Sequence, residues 1–245
     1  MVMPRVVTVE ILDGLEVQDP DAVRTRRDLQ RIHRLMGTRS ILLRGLADLR
    51  TAARGGALRL LELGAGDGTL MLGVARAMAR SGVRAELTML DRLDCVARST
   101  LDRYAQLGWK AGVRVTDVAD WVRNGDSGGP RESVARWDAI IVNLFLHHFT
   151  PEQLSPMLAA IAARTSRFFA CEPRRGWLAL AGSHLVGLVG ANAVTRTDSV
   201  LSVRAGFTDH ELSALWPATQ ERWVLQEYGA GLFSHCLRAT SMGGR

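Results

Sequence analysis

Leucines closing on an acid and then on alternating glycines, LLELGAGDG from Leu60 to Gly68, constrain this chain more than any other stretch. An apolar run cut short by glycines reads as a buried strand ending in a tight turn. Leu70, Met71, Val74, Ala75 and Met78 follow at three- and four-residue spacing, the period of a helix. Strand, glycine loop and helix in that order make a nucleotide-binding half-sheet. The glycines are spaced G-x-G-x-G, with Glu62 before them and Asp67 among them, not G-x-G-x-x-G. A pyrophosphate wants bare N–H groups and positive potential at a helix start. Carboxylates there suit a cationic ligand instead.

The rest of the chain extends the same rhythm. The pattern predicts strands over 57–62, 85–91, 112–116, 137–143 and 166–172, with helical patterns between most pairs. Such alternation means a parallel sheet covered on both faces. Ahead of it, residues 4–11 read as a short strand. A helix over 21–36 starts at Asp19-Pro20-Asp21 and stops at Gly37, and a second spans about 39–53 before Arg54-Gly55-Gly56. The GDSGGP run at 125–130 reads as a flexible surface loop. Residues 173–219 hold no strand–helix–strand unit. The chain closes with two strand-like runs, 222–228 and 232–239, about a glycine turn at 229–231, a hairpin. The domain reading is a helical cover over 1–56, a ligand-binding domain over 57–245, and an inserted cap at about 173–221.

Composition narrows the function classes. The first twelve residues hold no apolar secretory core. The weakly polar stretch 177–194 is broken by His184, Asn192 and three glycines, so no membrane span is expected. Cys95, Cys171 and Cys236 have no metal spacing, and a sparse, odd set fits the reducing cytoplasm. The net charge is +6, with Lys110 the only lysine. The arginines are scattered, and the densest group, Arg24 to Arg34, alternates with Leu29 and Ile32 as one solvated helix face. Without interleaved aromatics, a nucleic-acid partner is not indicated.

A polar residue stands at each predicted strand end, where open parallel sheets bind their ligands: Glu62, Asp91, Asp117, Asn143 and Glu172. With the glycine loop, this register resembles class I S-adenosylmethionine (SAM)-dependent methyltransferases. The resemblance implies an α/β Rossmann-like fold with a seven-stranded sheet ordered 3-2-1-4-5-7-6, SAM as methyl donor and S-adenosylhomocysteine (SAH) as product. It assigns SAM to Gly64, Ala65, Gly66, Asp67 and Gly68, with Glu62 reaching the ammonium through water. Asp91 would take the ribose hydroxyls, Arg92 would flank the adenine, Asp117 and Val118 would meet its edge, and Asn143 and Leu144 would hold the methionine ammonium. Arg39 is a further candidate for the SAM carboxylate, with surface exposure as its plainer reading. An N-cap for Asp91 and a turn role for Asp117 are the corresponding plainer readings. No metal is expected from the sequence.

The run NLFLHHFTPEQL, 143–154, resembles the same region of small-molecule methyltransferases. It places His147 and His148 near the transferred methyl, with Thr150 to Gln153 starting a helix. His147, His148 and Glu172 are the candidate bases. A structural role is the plainer reading of the histidine pair. His148, Arg174, His184, Asn192 and Arg196 are the candidate substrate contacts, and Arg175 a candidate anion stabiliser. Residues 171–207, with ELSALWP at 211–217 and HRLMGTR at 33–39, resemble bacterial methyltransferases associated with type III polyketide synthases. That implies a small aromatic acceptor, phenolic or quinone-like, methylated on oxygen in secondary metabolism, and pairing into a homodimer. Transfer to carbon or nitrogen, an RNA or protein acceptor, and a non-catalytic SAM-fold partner are the alternatives.

Overall fold

The computed structural model describes residues 3–53, 56–125, 136–218 and 222–243. Seven strands form one mixed sheet in the order β3-β2-β1-β4-β5-β7-β6, as the resemblance implied. They are β1 (Leu58–Leu63), β2 (Ala85–Asp91), β3 (Lys110–Val115), β4 (Ala139–Asn143), β5 (Arg167–Pro173), β6 (Trp223–Ala230) and β7 (Ser234–Ser241). The first five run parallel. The hairpin β6–β7 pairs antiparallel against β5.

Period-two alternation feeds two cores. On β1, Leu58 and Leu60 face one core, and Leu61 and Leu63 the other. Helices α2 (Thr38–Gly45), α4 (Thr69–Ala79) and α5 (Arg98–Gln106) close the first through Leu42, Met71, Val74 and Tyr104. Helices α6 (Val118–Asn124) and α7 (Pro151–Arg164) close the second through Trp121, Leu154 and Leu158. Glu62 shares its face with Leu60, so a carboxylate enters the apolar layer under α4. Cys171 and Cys236 face each other across β5 and β7 as buried free thiols.

Helix α1 (Pro20–Leu35) starts where Asp19 accepts from the amides of Asp21 and Ala22, with Pro20 as first helical residue. The helix expected over 39–53 is divided. α2 stops at Gly45, where a Cβ would sit 2.2 Å from the Phe169 ring, and a single turn, α3 (Leu49–Ala52), follows. Between them Asp48 swings to Arg167 and Arg238, each 3.1 Å away.

The strand expected over 4–11 does not form. Its backbone bonds to α9 (Ala193–Ala205) rather than to either free edge of the sheet, β3 or β6. The segment runs extended across α9, donating from Val6 to the Arg204 carbonyl and from Ile11 and Leu12 to Asp198. Val9 is 79% exposed, so the apolar alternation there marks no core. Strand four begins two residues later than its pattern suggested. Trp137 makes an isolated bridge to Thr165, while Asp138 uses its carboxylate to accept from the Arg59 amide. The weakly polar stretch after β5 folds as α8 (Trp177–His184) and a short 3-10 turn, and no helix among the described residues is long and apolar enough to cross a membrane. The GDSGGP loop lies, after Gly125, outside the described residues.

Candidate functional site

The glycine loop follows β1 directly. Gly64 and Gly66 take positive φ of 70° and 56°, which side chains rarely adopt. At Gly64 a Cβ would also lie 2.4 Å from the Phe145 ring, so this loop and the one after β4 pack backbone to aromatic. Tyr104 supports the loop from beneath, its hydroxyl donating to the Gly68 carbonyl at 2.8 Å. From the next strand, Asp91 accepts from the Gly66 amide (2.8 Å) and the Leu93 amide (3.0 Å). Asp91 is therefore both a loop brace and a half-buried acid at the rim of the loop.

Two buried oxygens at the carboxyl ends of β1 and β4 lack a partner: Oε2 of Glu62 and Oδ1 of Asn143. Burying such groups unpaired is costly, so a polar ligand belongs there. Burial, then the nearby Asp67 and Asp91 carboxylates, push the Glu62 carboxyl up to about 8. Leu144 follows Asn143 with φ of 50°, an uncommon conformation for leucine. Its amide donates to the Cys171 carbonyl, and this turns the chain off β4 toward the histidines.

Helix α1 lies over the loop. Gln30 donates to Asp67 at 2.5 Å, while Asp67 also accepts from the amide and hydroxyl of Thr69. His33 is held near Asp67 with Nε2 unpartnered, and burial pushes it down to about 4, leaving it neutral at physiological pH.

After β4, a 3-10 turn carries His147 and His148. Glu172, at the end of β5 and fully buried, organises this turn. Its Oε1 accepts from the amides of Phe145 and Leu146, and its Oε2 faces His147 Nδ1 at 2.8 Å. The other ring nitrogen of His147 meets Glu10 of the N-terminal segment at 3.3 Å. Burial alone would lower His147, but its bonds to Glu10 and Glu172 hold it up at about 9. His148 Nδ1 faces Asp13 at 3.2 Å, and Asp13 also pairs with Arg92. Residues 4–13 thus form a strap over the strand ends. Arg5 secures it by donating to the carbonyls of Ala205 (2.8 Å) and Phe149 (2.9 Å).

Glu62, Gly64 to Gly68, Asp91, Asn143 and Leu144 converge on one cradle. Asp117 stands exposed at the start of α6 and accepts from the Ala119 amide, with Val118 buried behind it. Arg92 is turned toward Asp13. Arg39 is exposed and lies across Gly73 in the middle of α4. The candidate substrate residues do not meet in one place. Asn192 caps α9 and accepts from Thr25 of α1, His184 is exposed at the end of α8, and Arg196 lies across Gly187. Arg175 is buried in contacts with Met3, Gly206 and Glu211.

Arg174 lines a cleft of about 580 Å³ between α8 and the β6–β7 hairpin, with Trp177, Leu178, His210, Tyr228 and Leu232. His235, in its wall, is the register partner of Glu172. Gln30, His33, Glu10 and Asp13 were missed as site residues. Their neighbours in the fold lie 34 residues or more away in sequence, and no local pattern signals them.

No family model matches the sequence, and no curated protein matches it. Solved structures do. The chain is similar to the plantazolicin methyltransferase BpumL, solved with a triazolic desmethylPZN analog and SAH, at 13% identity and a TM-score of 0.60, covering 91% of this chain and 92% of that one. Magnesium protoporphyrin IX methyltransferase (ChlM) from Synechocystis PCC 6803, with bound SAH, gives 13% identity and a TM-score of 0.52, covering 91% and 94%. WbdD, solved with the kinase inhibitor LY294002, gives 13% identity and a TM-score of 0.51 over 83% of this chain, which spans only 40% of WbdD. These likenesses show the fold, that of class I methyltransferases.

Proposed function

We propose that the protein is a SAM-dependent methyltransferase acting on a small aromatic acceptor. The observation that carries this reading is the pair of unpartnered oxygens, on Glu62 and Asn143, beside the glycine loop. An ammonium has three donors and one positive charge, which is what two buried acceptors require. Asp91 has lone pairs left for a ribose after its two backbone bonds. A loop carrying acids suits the cationic donor and repels a pyrophosphate. BpumL and ChlM, which share the fold, hold SAH.

The reaction is an in-line displacement. An acceptor oxygen forms its bond to the methyl carbon as the sulfonium C–S bond breaks, leaving neutral SAH and a proton to be removed. Alignment of the two reactants supplies most of the rate. Glu172 spends its oxygens on backbone amides and on His147, so it positions rather than accepts the proton. His147, held protonated between Glu10 and Glu172, cannot accept the proton, so deprotonation falls to His148, beneath the strap. The exposed aromatic and apolar residues of the cleft, Trp177, Leu178, Tyr228 and Leu232, suit a flat phenolic or quinone-like molecule of polyketide type, and Arg174 suits its oxygens.

Labelled SAM offered with alkylresorcinols, quinols and phenolic polyketides, and separately with bulk tRNA and protein, tests the reading. Label in a phenolic product, abolished in Asp91→Ala, is expected, and product NMR then names the atom. Label only in tRNA or protein would overturn the small-molecule assignment.

A further inference from the structure

We propose that Glu10, His147 and His148 form a site for a divalent transition-metal cation, zinc foremost, beneath the N-terminal strap. One donor atom from each of the three lies within 4.8 Å of the other two. Two imidazoles and a carboxylate are ligands for zinc and its first-row neighbours, whereas magnesium and calcium take oxygen.

The spacing suits a bound cation as well as an ion pair. Charge-assisted hydrogen bonds run about 2.7–2.9 Å. His147 Nδ1 keeps that distance to Glu172, at 2.8 Å. His147 Nε2 and Glu10 Oε1 stand farther apart, at 3.3 Å. Metal bonds of about 2.0–2.1 Å in a tetrahedron place neighbouring ligand atoms roughly 3.3 Å apart.

The surroundings are built for ligation. Each histidine turns Nδ1 to a carboxylate, His147 to Glu172 and His148 to Asp13 at 3.2 Å. Such carboxylates fix the tautomer that leaves Nε2 as the lone-pair donor. Glu172 is itself fixed by the amides of Phe145 and Leu146. Ser202 donates to Glu10 and holds it in place. Three protein ligands leave a fourth position open, the arrangement of catalytic rather than structural zinc.

The consequence for chemistry rests on the methyltransferase reading. The acceptor oxygen would occupy the open position, and the cation would lower the pKa of its hydroxyl. The proton passes to solvent, the oxygen's electron pair forms the bond to the methyl carbon, and the C–S pair returns to sulfur. The cation changes no oxidation state.

The test uses the full chain, stripped with a chelator and dialysed. Zinc chloride is titrated calorimetrically and cobalt(II) is followed by its visible d–d bands. One equivalent per chain with four-coordinate cobalt bands is expected. Affinity should fall at least about 100-fold in His148→Ala and in Glu10→Gln, and about 10- to 100-fold in Glu172→Gln. SAM titration of each variant serves as the folding control. No binding, or binding unchanged in His148→Ala and Glu10→Gln, would overturn the site. Methyl transfer by metal-free chain at the full rate would overturn the catalytic role and leave His148 as the direct base. Stoichiometric metal with no transfer to any acceptor would overturn the methyltransferase reading while keeping the site.

Discussion

Glu62 shows how one residue couples the fold to its ligand. Its carboxyl is raised to about 8 in the folded chain by burial and by Asp67 and Asp91. Unfolded, it would titrate near the ordinary value of about 4.3. Across that window the native state holds a proton that the unfolded chain has released. Its contribution therefore erodes stability as pH rises from about 4.5 to 8 and levels off above. Glu62→Gln cannot ionise. Denaturation at pH 5 and pH 9 should show the variant gaining on the parent at pH 9 relative to pH 5. A cationic ligand reverses the preference, because an ammonium favours the carboxylate. SAM binding near pH 7 should then release up to one proton, read by calorimetry in two buffers of different ionisation enthalpy. Loss of that release in Glu62→Gln assigns it, and equal release in both would refute the assignment.

Among elements, the strap over 4–13 leaves Val6, Val9 and Ile11 exposed and is tied down by hydrogen bonds to distant parts of the chain. Arg5 ties it down by donating to carbonyls on both sides, at Ala205 and Phe149, and stacks 4.4 Å over Phe207. Arg5→Ala removes these together, a loss of about 1–3 kcal/mol. Because the sheet does not depend on the strap, the loss should appear locally. Hydrogen exchange across 4–13 and 145–149 should accelerate by roughly 10-fold or more while the strands keep their protection. Unchanged exchange at 145–149 would mean the strap does not hold the histidine turn. The same contrast explains what the sequence disclosed. The parallel strands announce themselves by period and glycines, and β2 falls where its pattern placed it. Strand ends elsewhere shift where side chains compete with the ladder, as Asp138 does. The strap carries the alternation of a strand, yet its partners, Ser202 and Arg204 among them, lie almost 200 residues away. Only packing decides that. Glu62 and Asp91 stand at the strand ends where their pattern put them because β1 and β2 position them locally, whereas Glu10 and Asp13 reach the histidine turn only through the strap.

For the whole molecule, the strand ends, the strap and α1 close over one cradle whose buried acceptors are incomplete. Glu62 and Asn143 each keep an unpartnered oxygen, and His33 keeps an unpartnered ring nitrogen. These orphans weaken the empty fold, and a ligand that satisfies them stabilises the native state alone. SAM bound only to the folded chain at 100 times its dissociation constant adds about 2.7 kcal/mol. For a domain of this size each kcal/mol moves the melting midpoint by about 2–4 °C, so roughly 5–11 °C is expected. SAH lacks the sulfonium charge but keeps the ammonium and ribose, and it should stabilise comparably at the same saturation. Adenosine, without the ammonium, should give much less even at high concentration, because Glu62 and Asn143 stay unpaired. NAD should give nothing, since its pyrophosphate would meet Asp67 in the glycine loop. Differential scanning fluorimetry with these four ligands separates the alternatives in one plate. A shift with NAD, or equal shifts with adenosine and SAM, would show that the acids of the glycine loop do not select a cation.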